Sequence, residues 1–204
     1  NSARMLRAEL DLNADTLGEV LQELVSRNNP TSNVYIRPFI YKAGLELTPH
    51  LKGIRDEVAI YMIAFGDYFS METPLRLMVS SWMRIADNII PSRGKISGGY
   101  INSSLAKDQA EAAGFDDALM LNERGKIAEA SGANLFIVRD GTLITSPITG
   151  DILEGITRRS VMMFARDAGI PTEEREIDRS ELYVADEAFL CGTGAQVAAV
   201  GSID

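Results

Sequence analysis

Short apolar segments separated by turn residues fill the second half of the chain, and this pattern constrains the fold more than any other feature. Turn sequences such as Asn-Glu-Arg-Gly and Arg-Asp-Gly stand between several of these segments. One helical pattern, ITRRSVMMFARDAG, interrupts the series and ends at Gly169, with Pro171 beyond it. The strand candidates are ALMLN, NLFIVRD, GTLITS, TEEREI and DEAFLCG. We therefore expect a strand-rich α+β unit in this half.

The first half has a different pattern. DTLGEVLQELVSRNN has apolar residues at helical spacing, with Asp15 as its candidate N-cap. NVYIRPFIYK alternates with a period of two, and DEVAIYMIAFG is a continuous apolar run typical of a central strand. The pattern breaks around residues 65–69. We predict a small α/β domain over residues 1–64, an interdomain connector over 65–70 and a larger strand-rich domain over 71–204.

The sequence predicts two further elements of the larger domain. LRLMVSSWMR is predicted to be a strand, and an Ala-rich helix is expected over residues 103–113. The residues expected in the core include Trp82, Met78, Met162 and Met163.

Composition excludes several classes of function. The net charge of -9 argues against non-specific binding to nucleic acid or to an anionic membrane. Cys191 is the only cysteine, so no internal disulfide can form, which favours a reducing cytoplasm. His50 is the only histidine, which argues against a Ser-His-Asp triad or a His-rich metal site. The chain has no phosphate loop of the Walker type, no Rossmann glycine motif and no zinc spacing.

Dispersed polar residues nevertheless indicate a cofactor site. Lys95, before Gly98 and Gly99, could supply an amine for an aldehyde, although a solvated loop lysine is the simpler reading. Lys107 and Lys126 are alternatives, but the first is predicted on a polar helix face and the second in a turn. Tyr100, five residues beyond Lys95, could hydrogen-bond a ring oxygen or simply be a half-buried tyrosine at a helix start.

The remaining candidate groups suit a basic ring and a phosphate. Glu129 precedes a loop of small residues and could pair with a ring nitrogen, or it could be an exposed turn glutamate. Gly155, Ile156 and Thr157 begin a predicted helix whose free amides suit a phosphate. Thr193 stands between two glycines and offers a second hydroxyl. In isolation each Gly-Thr pair is more simply a cap or turn, but together these groups predict a site for pyridoxal 5′-phosphate.

One strand of the first half offers a candidate substrate site. Tyr35 and Arg37 alternate along it, so their side chains point to the same face. An arginine beside a tyrosine could receive the distal carboxylate of a dicarboxylic acid. The pair could equally be a surface feature of an edge strand.

The segments KISGGYINSSLAK, FDDALMLNERGKIAEASGANLFIV, LEGITRRSV and YVADEAFLCGTGAQV resemble the fold type IV, or class IV, aminotransferases. VYIRP is similar to the corresponding strand of their branched-chain amino acid group. The resemblance implies a small α/β domain and a larger domain with a barrel-like β core, usually in homodimers or larger assemblies of dimers. It also implies longer termini, including a phosphate-binding arginine, so we expect segments of a longer protein beyond both ends.

The resemblance also implies roles for individual residues. Lys95 would be the Schiff-base lysine and proton shuttle, Tyr100 would meet the ring oxygen, and Glu129 the pyridine nitrogen. Leu153 would pack on the ring, while Gly155, Ile156, Thr157 and Thr193 would hold the phosphate. The implied substrate residues are Tyr35, Arg37, Phe65, Tyr68, Thr193 and Gly194.

The activity implied by the resemblance is transamination of Leu, Ile or Val with 2-oxoglutarate by a ping-pong mechanism. We expect small-molecule partners, a cytoplasmic homodimer or higher homo-oligomer, and no metal, nucleic acid or membrane. Two alternatives stay open at this point. One keeps the cofactor but acts as a D-amino acid transaminase or aminodeoxychorismate lyase, and the other is a relic that has lost catalysis.

Overall fold

The computed structural model describes residues 1–10, 12–47, 49–66, 68–69 and 72–204. The chain divides into two compact units, Asn1–Gly66 and Asp67–Asp204. Residues 67 and 70 of the predicted connector, and residue 71 at the start of the predicted larger domain, lie outside the described residues. No helix in the described ranges is both long enough and apolar enough to cross a membrane.

The described residues of the first unit form two helices and a β-hairpin. They are α1 (Ser2–Met5), α2 (Ala14–Asn28), β1 (Val34–Lys42) and β2 (Asp56–Ala64). The N-cap of α2 is Asn13, whose side-chain oxygen accepts a hydrogen bond of 2.9 Å from the Thr16 amide. The prediction of Asp15 as the cap was therefore wrong: it lies in the first turn, where a carboxylate favours the positive end of the helix dipole.

The prediction that β2 is a central strand was also wrong. It pairs antiparallel with β1 in a two-stranded sheet among the described residues. The continuous apolar run arises because both faces of the strand carry apolar side chains. Val58 and Ile60 line a groove with residues of α2, whereas Tyr61 and Ile63 on the opposite face are 39% and 51% exposed.

In the second unit, the residues that the structure describes form an eight-stranded sheet and two helices. The helices are α3 (Tyr100–Ala112), preceded by a 3₁₀ turn at Ser97–Gly99, and α4 (Ile156–Asp167). The strands are β3 (Leu75–Val79), β4 (Asp117–Leu121), β5 (Ile127–Ala130), β6 (Asn134–Arg139), β7 (Thr142–Thr145), β8 (Thr172–Glu174), β9 (Glu187–Gly192) and β10 (Gln196–Ile203). A second 3₁₀ segment, Arg179–Val184, precedes β9.

The sheet curls so that its two ends approach each other. Its order is β5-β4-β3-β10-β9-β6-β7-β8, with β10 parallel to β3 and antiparallel to β9. The amide of Ile127 on β5 donates a hydrogen bond of 2.9 Å to the carbonyl of Ile177, which follows β8. Lys126 forms an isolated bridge with Asp178 beside it. A barrel-like core results, and Leu77, Leu119, Leu135 and Leu190 are fully or almost fully buried in it.

The two helices of this unit cover separate patches of the sheet. Ala106 and Ala110 of α3 pack against Met78 and Met120. The residues in the corresponding cluster of α4 are Met162, Ala165, Phe136, Leu143 and Cys191. The core assignments of Met78 and Met162 are therefore confirmed, and Cys191 is a buried thiol whose pKa is raised to about 12 by desolvation.

Two predictions in this region were wrong. The strand predicted over LRLMVSSWMR ends at Val79, because the Ser80 hydroxyl accepts a 3.0 Å hydrogen bond from the Trp82 amide and forms a turn. Trp82 and Met163, both expected in the core, are 45% and 49% exposed.

Candidate cofactor and substrate site

Lys95 stands in an irregular segment between β3 and α3. A turn precedes it, in which the Gly94 amide donates to the Pro91 carbonyl over 3.0 Å. The ammonium nitrogen of Lys95 lies 5.7 Å from the centre of the Tyr100 ring, at the first residue of α3. The structure therefore brings the predicted amine and the predicted tyrosine together.

Glu129 is buried in β5, with 5% of its surface exposed. Its Oε1 accepts a 2.9 Å hydrogen bond from Arg84 Nε. Its Oε2 accepts from Asn134 Nδ2 at 2.9 Å and from the Leu153 amide at 3.1 Å. This environment excludes the exposed turn glutamate that the sequence left open.

Arg84 is the polar residue of this site that the sequence analysis missed. Its side chain is 11% exposed, and it forms an ion pair with Glu129. Nη1 of Arg84 is buried and has no hydrogen-bond acceptor within the described part of the chain. The sequence did contain a signal for it, since Arg84 ends an apolar stretch that was expected to be buried. A buried guanidinium requires a carboxylate partner, so this position could have indicated an ion pair.

The electrostatics of this pair depend on its burial. Desolvation raises the pKa of Glu129 to about 7, and the charge of Arg84, the Leu153 hydrogen bond and the charge of Lys95 act in the opposite direction. The charge of Lys95 lowers this pKa, so the amine and the carboxyl interact electrostatically. A further positive charge near the carboxyl would lower its pKa and favour the ionised form.

The N-terminus of α4 adjoins the Glu129 carboxylate through Leu153. The Leu153 carbonyl accepts from Asn134 Nδ2 at 3.0 Å, while the Leu153 amide binds Glu129. Gly155 is the N-cap of α4 and has no side-chain cap, and Ile156 and Thr157 form the first turn. First-turn amides have no partner within their helix, so this end can bind an anion. A side chain on Gly155 would collide with Asn134.

Thr193 and Gly194 lie in the turn between β9 and β10, and Thr193 is exposed. A Cβ atom placed on Gly192 would lie 3.6 Å from the Gly132 carbonyl oxygen. On the other side, a Cβ on Gly132 would lie 3.5 Å from the Tyr68 hydroxyl. The turn, the small-residue loop and Tyr68 are therefore neighbours.

The candidate substrate residues of the first unit also form a cluster. Arg37 Nη2 donates a 3.3 Å hydrogen bond to the Tyr35 hydroxyl, and its guanidinium carbon lies 5.1 Å from the centre of that ring. The ring of Phe65 lies 5.3 Å from the ring of Tyr35. One cation and two aromatic rings are thus grouped on this unit.

The raised pKa of Glu129 predicts pH-dependent stability of the cofactor-free protein. Burial raises the pKa of this carboxyl in the folded protein to about 7, above its ordinary value of 4.5. Its stabilising contribution is fully present below the unfolded pKa and is lost as the pH rises through the folded pKa, because the unfolded state releases its proton first. We expect the free energy of unfolding to fall by roughly 2–3 kcal/mol between about pH 5 and about pH 8 as the Glu129 carboxyl loses its proton.

Urea unfolding of the cofactor-free protein at these two pH values measures this contribution. The matched control is Glu129→Gln, which cannot titrate and should lack this part of the pH dependence. Equal pH dependence in the two proteins would contradict the prediction.

Comparisons with known proteins agree over nearly the whole chain. The model of the family described as amino-transferase class IV matches residues 1–203. A probable branched-chain-amino-acid aminotransferase of Synechocystis is 44% identical over 194 residues, which are 95% of this chain and 63% of the relative. The chain thus spans less than two thirds of that relative's length.

Solved structures show the same fold. The branched-chain aminotransferase from Thermoproteus uzoniensis with norvaline has a TM-score of 0.96 and 41% identity, over 100% of this chain and 68% of that one. The branched-chain amino acid aminotransferase from Thermobaculum terrenum in its PLP form has a TM-score of 0.93 and 39% identity, over 100% and 66%. These likenesses confirm the predicted fold type IV architecture. On the match to the family model and the agreement of the fold, the chain belongs to the class IV aminotransferases.

Proposed function

We propose that this protein is a pyridoxal-phosphate-dependent branched-chain-amino-acid transaminase. It would transfer the amino group of Leu, Ile or Val to 2-oxoglutarate by a ping-pong mechanism. The observation that carries the proposal is the buried Glu129–Arg84 pair beside the uncapped N-terminus of α4, to which Arg93 connects the segment of Lys95. Relatives and solved structures named as branched-chain aminotransferases support the substrate class.

The residues present fit this cofactor group by group. Glu129 suits a basic ring nitrogen, because its carboxylate is held in place by three donors, one of which is the Arg84 cation. The amides of Ile156 and Thr157 suit a phosphate, and Lys95 suits the aldehyde. Leu153, whose backbone is fixed to Glu129 and Asn134, would present its side chain to the ring.

Four side chains of the protein would have separate roles in proton transfer and cofactor binding. When bound, the cofactor supplies an electron sink for the charge that develops at the substrate Cα. Lys95 Nζ would take the proton from Cα as general base and later return it as general acid. Glu129 would hold a proton on the ring nitrogen, and the Tyr100 hydroxyl would donate to the ring oxygen. Thr193 would add its hydroxyl to the phosphate site.

We assign roles in substrate recognition to residues of each unit, taken separately. The Arg37 guanidinium would pair with the distal carboxylate of 2-oxoglutarate. The rings of Tyr35 and Phe65 would contact a branched apolar side chain. In the second unit, Tyr68 and the amides of Thr193 and Gly194 would contact the substrate and its α-carboxylate.

Substrate profiling tests the assignment. The complete protein should convert L-leucine with 2-oxoglutarate, and should be at least about 100-fold less active on D-alanine. It should release no pyruvate from aminodeoxychorismate. Preference for D-alanine or lyase activity would replace the proposal with another reaction of the family, and no turnover by the cofactor-loaded protein would indicate a non-catalytic relic.

We further propose a cytoplasmic homo-oligomer, at least a dimer. The single buried Cys191 supports a reducing compartment, because the chain makes no use of disulfides. Light scattering of the complete protein would measure the assembly, and a monomeric mass would contradict it.

A further inference from the structure

Arg93 connects the lysine segment to the segment that leads into α4. Its Nε donates a 2.9 Å hydrogen bond to Glu154 Oε1, and its Nη2 donates to the Ile148 carbonyl at 3.1 Å. Asp87 Oδ2 lies 3.9 Å from Arg93 Nη1. Arg93 stands two residues before Lys95, so these contacts join parts of the site that are about 60 residues apart in sequence.

A second contact holds the same two segments together. The Asp87 amide donates a 3.0 Å hydrogen bond to Asp151 Oδ1. Asp87 Oδ1 in turn accepts from the Ser92 amide at 3.1 Å, directly before Arg93. The position of the lysine segment therefore does not depend on Arg93 alone.

Glu154 places a negative charge beside the N-terminus of α4, and Arg93 is its ion-pair partner. Glu154 directly precedes Gly155, the N-cap of α4. A free carboxylate there would oppose the helix dipole's attraction for an anion and would repel a phosphate dianion. The side chains of Arg93 and Glu154 are 33% and 38% exposed, so water screens this charge only in part.

We propose that Arg93 neutralises Glu154 and thereby keeps the N-terminus of α4 able to bind the phosphate of the cofactor. Arg93 is a positioning residue, since it acts through Glu154. The inference rests on the proposed function, because it takes the cofactor's phosphate as the anion at this helix.

Binding of pyridoxamine 5′-phosphate to the cofactor-free complete protein tests the inference by calorimetry. This probe carries the phosphate but cannot bond covalently to Lys95. Arg93→Ala should weaken binding by about threefold to tenfold, and less at high salt. Glu154→Gln should bind as tightly as the wild type or more tightly. The double variant Arg93→Ala/Glu154→Gln should return to within about twofold of the wild type, because no charge is left uncompensated.

The pattern of the variants separates charge from tethering. If Arg93 only tethers the two segments, Glu154→Gln weakens binding and the double variant is not rescued, which overturns the inference. Arg124→Ala is the matched control, because it removes another partly exposed arginine–glutamate pair, with Glu176 at 2.8 Å, and should leave affinity unchanged. Circular dichroism melting identifies variants that misfold. Failure of the wild type to bind would overturn the proposed function as well, whereas normal wild-type binding without the rescue pattern overturns the inference alone.

Discussion

Replacement of Lys95 by alanine is expected to lower transamination by about 10⁴-fold or more. The amine is the only group assigned both to hold the aldehyde and to carry the proton from Cα, so no other side chain replaces it. Initial rates with L-leucine and 2-oxoglutarate measure the loss. Borohydride reduction followed by peptide mass spectrometry should find the reduced cofactor on Lys95 in the wild type.

Lys126→Ala is the control for this prediction. Lys126 is an alternative amine in the sequence, and in the structure it directly precedes β5 and is paired with Asp178 at 2.7 Å. Its removal should leave the rate within about twofold of the wild type, as is usual for an exposed ion pair. Intact transamination in Lys95→Ala would refute the assignment of the catalytic amine.

The second large effect is expected from Glu129→Gln, which should lower kcat by about 10²- to 10³-fold. A glutamine cannot compensate a positive ring nitrogen. The three partners of Glu129 are all donors, so the amide group of a glutamine must face one of them without forming a hydrogen bond. This mismatch should also destabilise the protein by about 1–3 kcal/mol, in addition to leaving the Arg84 charge uncompensated.

Steady-state kinetics and urea unfolding measure the two consequences separately. Glu176→Gln is the matched control, because Glu176 pairs with Arg124 at the surface and is 42% exposed. It should change neither kcat nor stability appreciably. A normal kcat in Glu129→Gln would require another acid to serve the ring nitrogen.

Most strands of the second unit could be predicted from the sequence, because turn residues mark their ends. Asp140 and Gly141 have φ values of 50° and 74°, which an Asp-Gly pair accommodates, and so β6 and β7 could be separated. β5 was missed because KIAEA is rich in good helix formers, and its strand conformation comes from pairing with β4. The apolar run of β2 did not indicate how many strands pair with it, because strand pairing is determined by tertiary structure.

Some residues of the candidate site could be predicted from the sequence and others could not, because only some of them have a local sequence signal. Lys95, Glu129 and Thr193 stand beside glycines or small residues, which mark close approach in the sequence itself. Arg84 carries no such mark, since its role depends on a carboxylate 45 residues away. Pairing between distant residues is fixed by the curl of the sheet, which no local pattern encodes. The roles of the individual site residues stay predictions until the variants are measured.

The place of β10 between β3 and β9 has a consequence for synthesis of the protein. The Val79 amide donates to the Asp204 carboxylate over 2.6 Å, although 125 residues separate them in the chain. At ribosomal rates of about 5–20 residues per second, these 125 residues take roughly 6–25 s to emerge. Throughout that time the nascent chain exposes the edge of β3 that β10 later covers, and chaperones that shield such an edge should therefore increase the yield of folded protein.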